Sequence, residues 1–380
     1  MSATWGLKIT ILFFAILHFA TYFYPKPMMV NLLSVCGFLI LFFAAFAFKL
    51  KQLKMPLTLF LSSLIVLIFS DISIVDFFFL GFLQMRNMIG LLIIIPMISW
   101  VLKEEPYVES IIKFARRMLD SSRKMYFGIM IFTQIIAYFL LFGSIPMMYQ
   151  FVNMILKNEK GEVWEHFKGT AILRGFALSV MWVVSIPSFI FAVEALNASL
   201  WKSILQGLGI ALLGIITALI FSHFEEKRYK VDLTSILKHD IDDLIGHIVS
   251  HKNPKLLVIE FSVLCVAFFG LIFLLHSILP IELMILIPII VFALTTFYYL
   301  IKRRVWNYVK KGQEHFEKHL VKESYQLCVM LSAGTLIYTL NQAGFGEAVV
   351  NGINQMHELF PFINVLFLLP FMVIIPGFFG

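Results

Sequence analysis

Polar residues interrupt the apolar stretch Thr170–Asn197 at three places: Arg174 near its start, Ser185-Ile186-Pro187-Ser188 in its middle and Glu194 near its end. The stretch is long enough to span a bilayer, for which roughly 20 apolar residues suffice. Pro187 has no N–H to donate and its ring clashes with the preceding turn, so the helix is expected to kink or break there. In lipid, the carbonyls freed by such a break must be satisfied by protein or by a water-filled cavity. Half-helix N-termini can then hold an anion while unwound carbonyls hold a cation, which is the chemistry of a broken-helix transport site. A structural kink would use the same residues differently, with Ser185 and Ser188 re-satisfying the backbone. Arg174 then marks the cytoplasmic end of its helix rather than a substrate partner, and Glu194 sits at the interface rather than carrying a proton or cation.

Composition fixes the class around this stretch. The chain of 380 residues is 60% hydrophobic and 14% charged, and several of its apolar runs exceed the spanning length. It reads as an all-α polytopic membrane protein whose first partner is the lipid bilayer. Its 41 Phe and 18 Met suit lipid-facing surface and adaptable packing and require no cofactor. The net charge of +7 does not point to nucleic acid, because Lys and Arg sit mainly in loops between apolar segments, the positive-inside pattern. Cys36, Cys265 and Cys328 lack metal or disulfide spacing and read as small hydrophobes. HExxH, GxSxG, phosphate-loop and Rossmann glycine patterns are absent from the sequence, so no enzymatic activity and no ATP-driven step is expected.

Along the chain, Trp5–Tyr24 and Met28–Phe48 form a helical pair, and the lysines at 49, 51 and 54 place the N-terminus on the cytoplasmic side. No cleavage pattern follows the first apolar run, which reads as a retained helix of a bacterial cytoplasmic membrane protein. Phe77–Leu102 is interrupted by Gln84-Met85-Arg86-Asn87, with Arg86 read as an interfacial snorkeller. Residues 103–124 show apolar spacing on one face and charge on the other, an interfacial amphipathic helix. Residues 125–156 are too long for one untilted span and carry Gly143-Ser144-Ile145-Pro146, which suggests a re-entrant hairpin; this reading also keeps the later basic loops on the cytoplasmic side. A polar linker, 224–255, follows the span Leu200–Phe221; its Asp243, His247 and His251 share a helix face but lack a fourth metal ligand, so a solvated face is preferred and no metal is assigned.

The linker divides the chain into a first membrane half, 1–223, and a second, 256–380. The order of span, basic or amphipathic helix, and interrupted span occurs in both. The second copy contains the basic segment 302–322 and a hairpin-like region, 325–355, with the polar turn Asn341-Gln342-Ala343-Gly344. Paired discontinuities of this kind are the sequence pointer to a secondary transporter's binding site. The expected architecture is about ten transmembrane helices with interfacial amphipathic helices, broken helices and re-entrant hairpins in two pseudo-repeats.

With these motifs in hand, the helix 103–124, the GSIP turn at 143–146, the SIPS break at 185–188 and the NQAGFG turn at 341–346, the chain resembles the ion transporter superfamily. That family holds divalent-anion/sodium symporters, arsenite and citrate carriers and sodium/proton antiporters. The resemblance implies secondary active transport of a small anionic solute by alternating access, coupled to sodium or protons, in a homodimer. It implies substrate and ion contacts at Ser144, Ser185, Ser188, Asn341 and Gly344; Gly143, Pro146 and Pro187 join the candidate site as residues of the same breaks, and Arg174 and Glu194 as ionisable groups in an apolar stretch. The chain departs from the family in lacking the Ser-Asn-Thr hairpin motif and a second broken helix after 346, as a C-terminally truncated member would. The alternative expectation is a non-transporting accessory or scaffold protein of an envelope complex.

Overall fold

The computed structural model describes residues 2–107, 110–111, 122–156, 161–229 and 253–359. Most of the expected amphipathic helix 103–124, the linker core with Asp243, His247 and His251, and the apolar run from residue 360 onward lie outside the described residues. Among the described residues all regular structure is helical. Six helices there are long and apolar enough to cross a membrane, which makes the chain a multi-pass membrane protein. The surface agrees: Leu212, Leu213, Ile216 and Ile220 of a single helix are each more than half exposed, an arrangement that water would penalise and lipid does not.

By its internal contacts the chain forms two compact units, a division that follows packing rather than chain order. The first comprises Met1–Gly90 and the described residues from Val309 onward. Its helices are α1 (Ser2–Phe23), α2 (Pro27–Ala47), α3 (Lys54–Ile68) and the start of α4 (Arg86–Ile94), with α13 (Leu320–Gln342) and α14 (Phe345–Leu359). α1 and α2 pack as a pair, and Pro27 in the first turn of α2 occupies a position where its missing N–H costs nothing. Between α3 and α4 the chain widens into a π-helical turn, Phe77–Gly81, and leaves helical geometry until Arg86. This interruption is held by small residues. The Ser34 hydroxyl donates to the Phe78 carbonyl at 2.7 Å. Gly334 of α13 lies so close that an added Cβ would meet the Gly81 carbonyl at 3.4 Å.

The second unit, Leu91–Tyr308, holds α5 (Ser122–Leu140), α6 (Ser144–Ile155), α7 (Glu162–Ser179), α8 (Pro187–Ala195), α9 (Leu200–Tyr229), α10 (Pro254–Ile278), α11 (Leu283–Ile301) and the start of α12 (Val305–Glu314). α5, α6 and α7 share one core, in which Tyr126, Met130, Val152, Trp164 and Ala171 are buried together. α7 crosses α5 at Gly175, where a Cβ would lie 2.8 Å from the Met130 carbonyl. α9 approaches the segment after α7 more closely still. A Cβ on Gly207 would lie 1.9 Å from the Met181 carbonyl, so glycine is required there.

Candidate functional site

The discontinuity expected at the SIPS tetrapeptide is present and longer than the proline alone would make it. α7 ends at Ser179, residues 180–186 leave helical geometry, and α8 starts with Pro187 in its first position. The sequence reading put the break at Pro187; in the structure Pro187 begins a helix, which suits a residue with a fixed φ and no N–H to lose. The unwinding falls upstream, over Val180–Ile186, and Ser185 within it is buried whereas Ser188 is exposed.

α5 is interrupted next to this segment. It ends at Leu140, and Leu141 adopts φ 49°, a left-handed conformation that costs a leucine about 1 kcal/mol. Gly143, the expected break residue, is itself helical in backbone conformation, and α6 begins at Ser144. The turn therefore lies at Leu141–Gly143 and shares only Gly143 with the Gly-Ser-x-Pro motif, with Pro146 in the first turn of α6. α6 then packs back along α5. Ser144 is buried and its hydroxyl donates to the Leu141 carbonyl at 2.7 Å, whereas Gly143 and Pro146 are exposed.

Side chains of the unwound segment bond it to the end of α5. The Ser185 hydroxyl donates to the carbonyl of Tyr138, one of the last carbonyls of α5 and so without a partner inside its own helix. The Trp182 indole N–H donates to Gln134 Oε1 at 2.8 Å. Gln134 and Tyr138 are four residues apart and share a face of α5. Each carries a buried group with no hydrogen-bond partner among the described residues, the Gln134 amide nitrogen and the Tyr138 hydroxyl. The Tyr138 ring stacks on Phe269 with centroids 4.3 Å apart, in a wall that also contains Phe268. The arrangement is an apolar enclosure with two orphan donors beside an unwound backbone segment. Sequence reasoning missed Gln134 and Tyr138, because a lone Gln and a lone Tyr in an apolar run carry no motif.

The two charged candidates are committed elsewhere. Arg174 donates to the Tyr126 hydroxyl at 2.8 Å and pairs with Glu225 of α9 at 3.2 Å, with His166 3.6 Å from the same carboxylate. It thereby links α7 to α5 and α9. Glu194 accepts the Met284 amide at 3.1 Å, at the first turn of α11, where a carboxylate meets unpaired N–H groups and the positive end of the helix dipole. Asn341 and Gly344 belong to the other unit. There Gly344 adopts φ 73° and the Asn341 carbonyl accepts its amide at 3.2 Å, closing α13 before α14 starts. Both residues are components of a helix stop, and Asn341 is exposed.

A second polar cluster escaped the sequence reading. After α11, Arg303 takes φ 54° while its amide bonds the Leu300 carbonyl and the Arg304 amide bonds that of Tyr299, a left-handed helix stop of Schellman type. The stop turns Arg304 back onto two buried carboxylates, Glu104 at 3.0 Å and Glu105 at 3.1 Å. Asn307 and the Tyr299 hydroxyl also donate to Glu104. Alongside, Lys302 pairs with Glu260 at 2.8 Å, and Tyr107 donates to the same carboxylate. Burial, reinforced by Glu260, holds the Tyr107 hydroxyl well above the ordinary tyrosine range, so it remains a donor. The Glu pair at 104–105 and the basic run after Ile301 are separately visible in the sequence, but their convergence is tertiary.

No family model matches the chain, and neither a curated protein nor a solved structure does.

Proposed function

We propose that the chain is a secondary active transporter of a small anionic solute, coupled to sodium or protons, and that it binds the solute at the interruption of α7 and α8. The observation that carries this reading is the pair of buried, unpartnered donors, the Gln134 amide and the Tyr138 hydroxyl, on the α5 face that holds residues 180–186. A buried donor left unpaired costs about 1–3 kcal/mol, and an anion that accepted both bonds would recover that cost. Unwound backbone within a spanning segment is the usual site of such binding, with carbonyls available to a cation. On this reading the chain works as a homodimer in a bacterial cytoplasmic membrane with its N-terminus inside. About ten spans and a re-entrant 125–156 hairpin complete the resemblance to the ion transporter superfamily.

Tyr138→Phe tests the site without disturbing the fold, because it deletes a hydroxyl that bonds nothing among the described residues. Purified wild type should melt at higher temperature with one of succinate, citrate or sulfate in the presence of sodium, following RT ln(1 + [L]/Kd). Tyr138→Phe and Gln134→Leu should lose that increase. A full anion response in both folded variants would remove the solute from this site.

A second reading has its own support. The Ser144 and Ser185 hydroxyls each donate to a backbone carbonyl, so both are engaged in sealing the breaks. Breaks satisfied from within suit a non-transporting accessory protein of an envelope complex. Such a protein would show no anion-dependent stabilisation.

A further inference from the structure

The first unit contains a cavity of about 180 Å³ between α2, α3 and α13, at the end of α2 that leads into the loop before α3. Phe38 and Phe42 of α2, Leu53 of the loop, Phe60 of α3, and Cys328 and Ser332 of α13 line it. Its wall is almost wholly hydrocarbon. Cys328 and Ser332 close it on the α13 side and are fully buried, whereas Phe42 is 45% exposed, so the cavity opens at the outer surface of α2. Apolar cavities of this size stay dry and admit hydrocarbon; one of about 150 Å³ takes a benzene-sized guest.

The segment that joins α2 to α3 and lines one end of the cavity carries a charge pattern that narrows the choice of guest. Leu53, Pro56 and Leu57 line the cavity, and Lys49, Lys51 and Lys54 lie beside them, all exposed. The sequence places no Asp or Glu before Asp71, so carboxylates of the same segment cannot neutralise these lysines. The first acid upstream on α13, Glu323, lies 3.6 Å from His315. A hydrocarbon slot lined in part by a segment that carries three exposed lysines matches one class of molecule present wherever a membrane protein resides.

We infer that this cavity binds an anionic phospholipid, with part of an acyl chain inserted between α2, α3 and α13 and the phosphate held by Lys49, Lys51 and Lys54. Juxtamembrane lysines favour an anionic headgroup, and a hydrocarbon-lined slot accepts an acyl chain through van der Waals packing. The inference is independent of the transport reading, because it uses only the first unit.

The test uses full-length protein delipidated in detergent, with phosphatidylglycerol, phosphatidylcholine or inorganic phosphate added. Phosphatidylglycerol should raise the melting temperature more than phosphatidylcholine, and phosphate should leave it unchanged. Ala45→Phe, which fills the cavity, and the triple Lys49→Gln, Lys51→Gln, Lys54→Gln variant, which alters only exposed side chains, should each abolish the difference. Equal responses to the two lipids or an unchanged response in the triple lysine variant would overturn the proposal. A phosphate response equal to that of the lipid would assign the lysines to a free anion and overturn it as well.

Discussion

The Ser185 hydroxyl donates to the carbonyl of Tyr138, so two helix interruptions 47 residues apart in sequence close on one another. Ser185→Ala leaves that buried carbonyl without a partner and should destabilise the protein by about 1–3 kcal/mol. Ser188→Ala, at an exposed position on the far side of Pro187, should leave the melting temperature unchanged. Thermal unfolding of the two variants in one detergent separates the serines, and equal effects would contradict the placement of the break.

Two glycines of the same helix should respond with opposite signs. A methyl on Gly207 would collide with the Met181 carbonyl, so Gly207→Ala must displace α9 from the unwound segment and lower stability and folded yield. Around Gly209 no atom among the described residues would lie within 4 Å of an added Cβ. Gly209→Ala should therefore stabilise α9 by up to about 1 kcal/mol through its lower backbone entropy. Size-exclusion profiles and melting temperatures read both.

Arg304 is the cation shared by Glu104 and Glu105, whose side chains are 6% and 5% exposed. Removing it takes a cation from two buried carboxylates, so Arg304→Leu should cost about 3 kcal/mol. Glu104→Gln keeps an acceptor for Asn307 and Tyr299 and should cost less. Chemical denaturation of the two variants gives the order.

Glu165, at the exposed start of α7, accepts hydrogen bonds from Tyr149 and Lys168, which hold its carboxyl below the ordinary glutamate range, Tyr149 most strongly. The folded value is therefore lower than the unfolded one. The stability from this contact is complete above the ordinary carboxylate pKa and is lost as pH falls through the lowered folded value. Tyr149→Phe should shallow the acid side of the melting temperature–pH curve while leaving the neutral plateau almost unchanged, because the contact is solvent-screened.

The fold class was legible because lipid selects for long apolar runs, and those runs survive in the structure as spanning helices. The α7–α8 break was legible through Pro187, although the unwinding lies before it because proline is stable at the start of a helix. The α5 break expected at Gly143-Ser144-Ile145-Pro146 starts earlier, at Leu141, a residue that no propensity argument would place at positive φ. Glu194 was visible as an ionisable group in an apolar run, but its partner is the first turn of a helix 90 residues later, which spacing cannot report. Gln134, Tyr138 and the Glu104–Arg304 cluster depend on which helices touch, and their residue types have no local signature.

Uptake by reconstituted proteoliposomes tests the transport reading most directly. Radiolabelled succinate, citrate and sulfate would each be offered with an inward sodium gradient, an inward proton gradient or neither. The account predicts accumulation of one anion under one gradient, abolished when that gradient is collapsed by an ionophore and reduced by Gln134→Leu. Uptake equal to protein-free liposomes for every anion and gradient, from protein that melts cooperatively, would contradict it and leave the accessory reading in place.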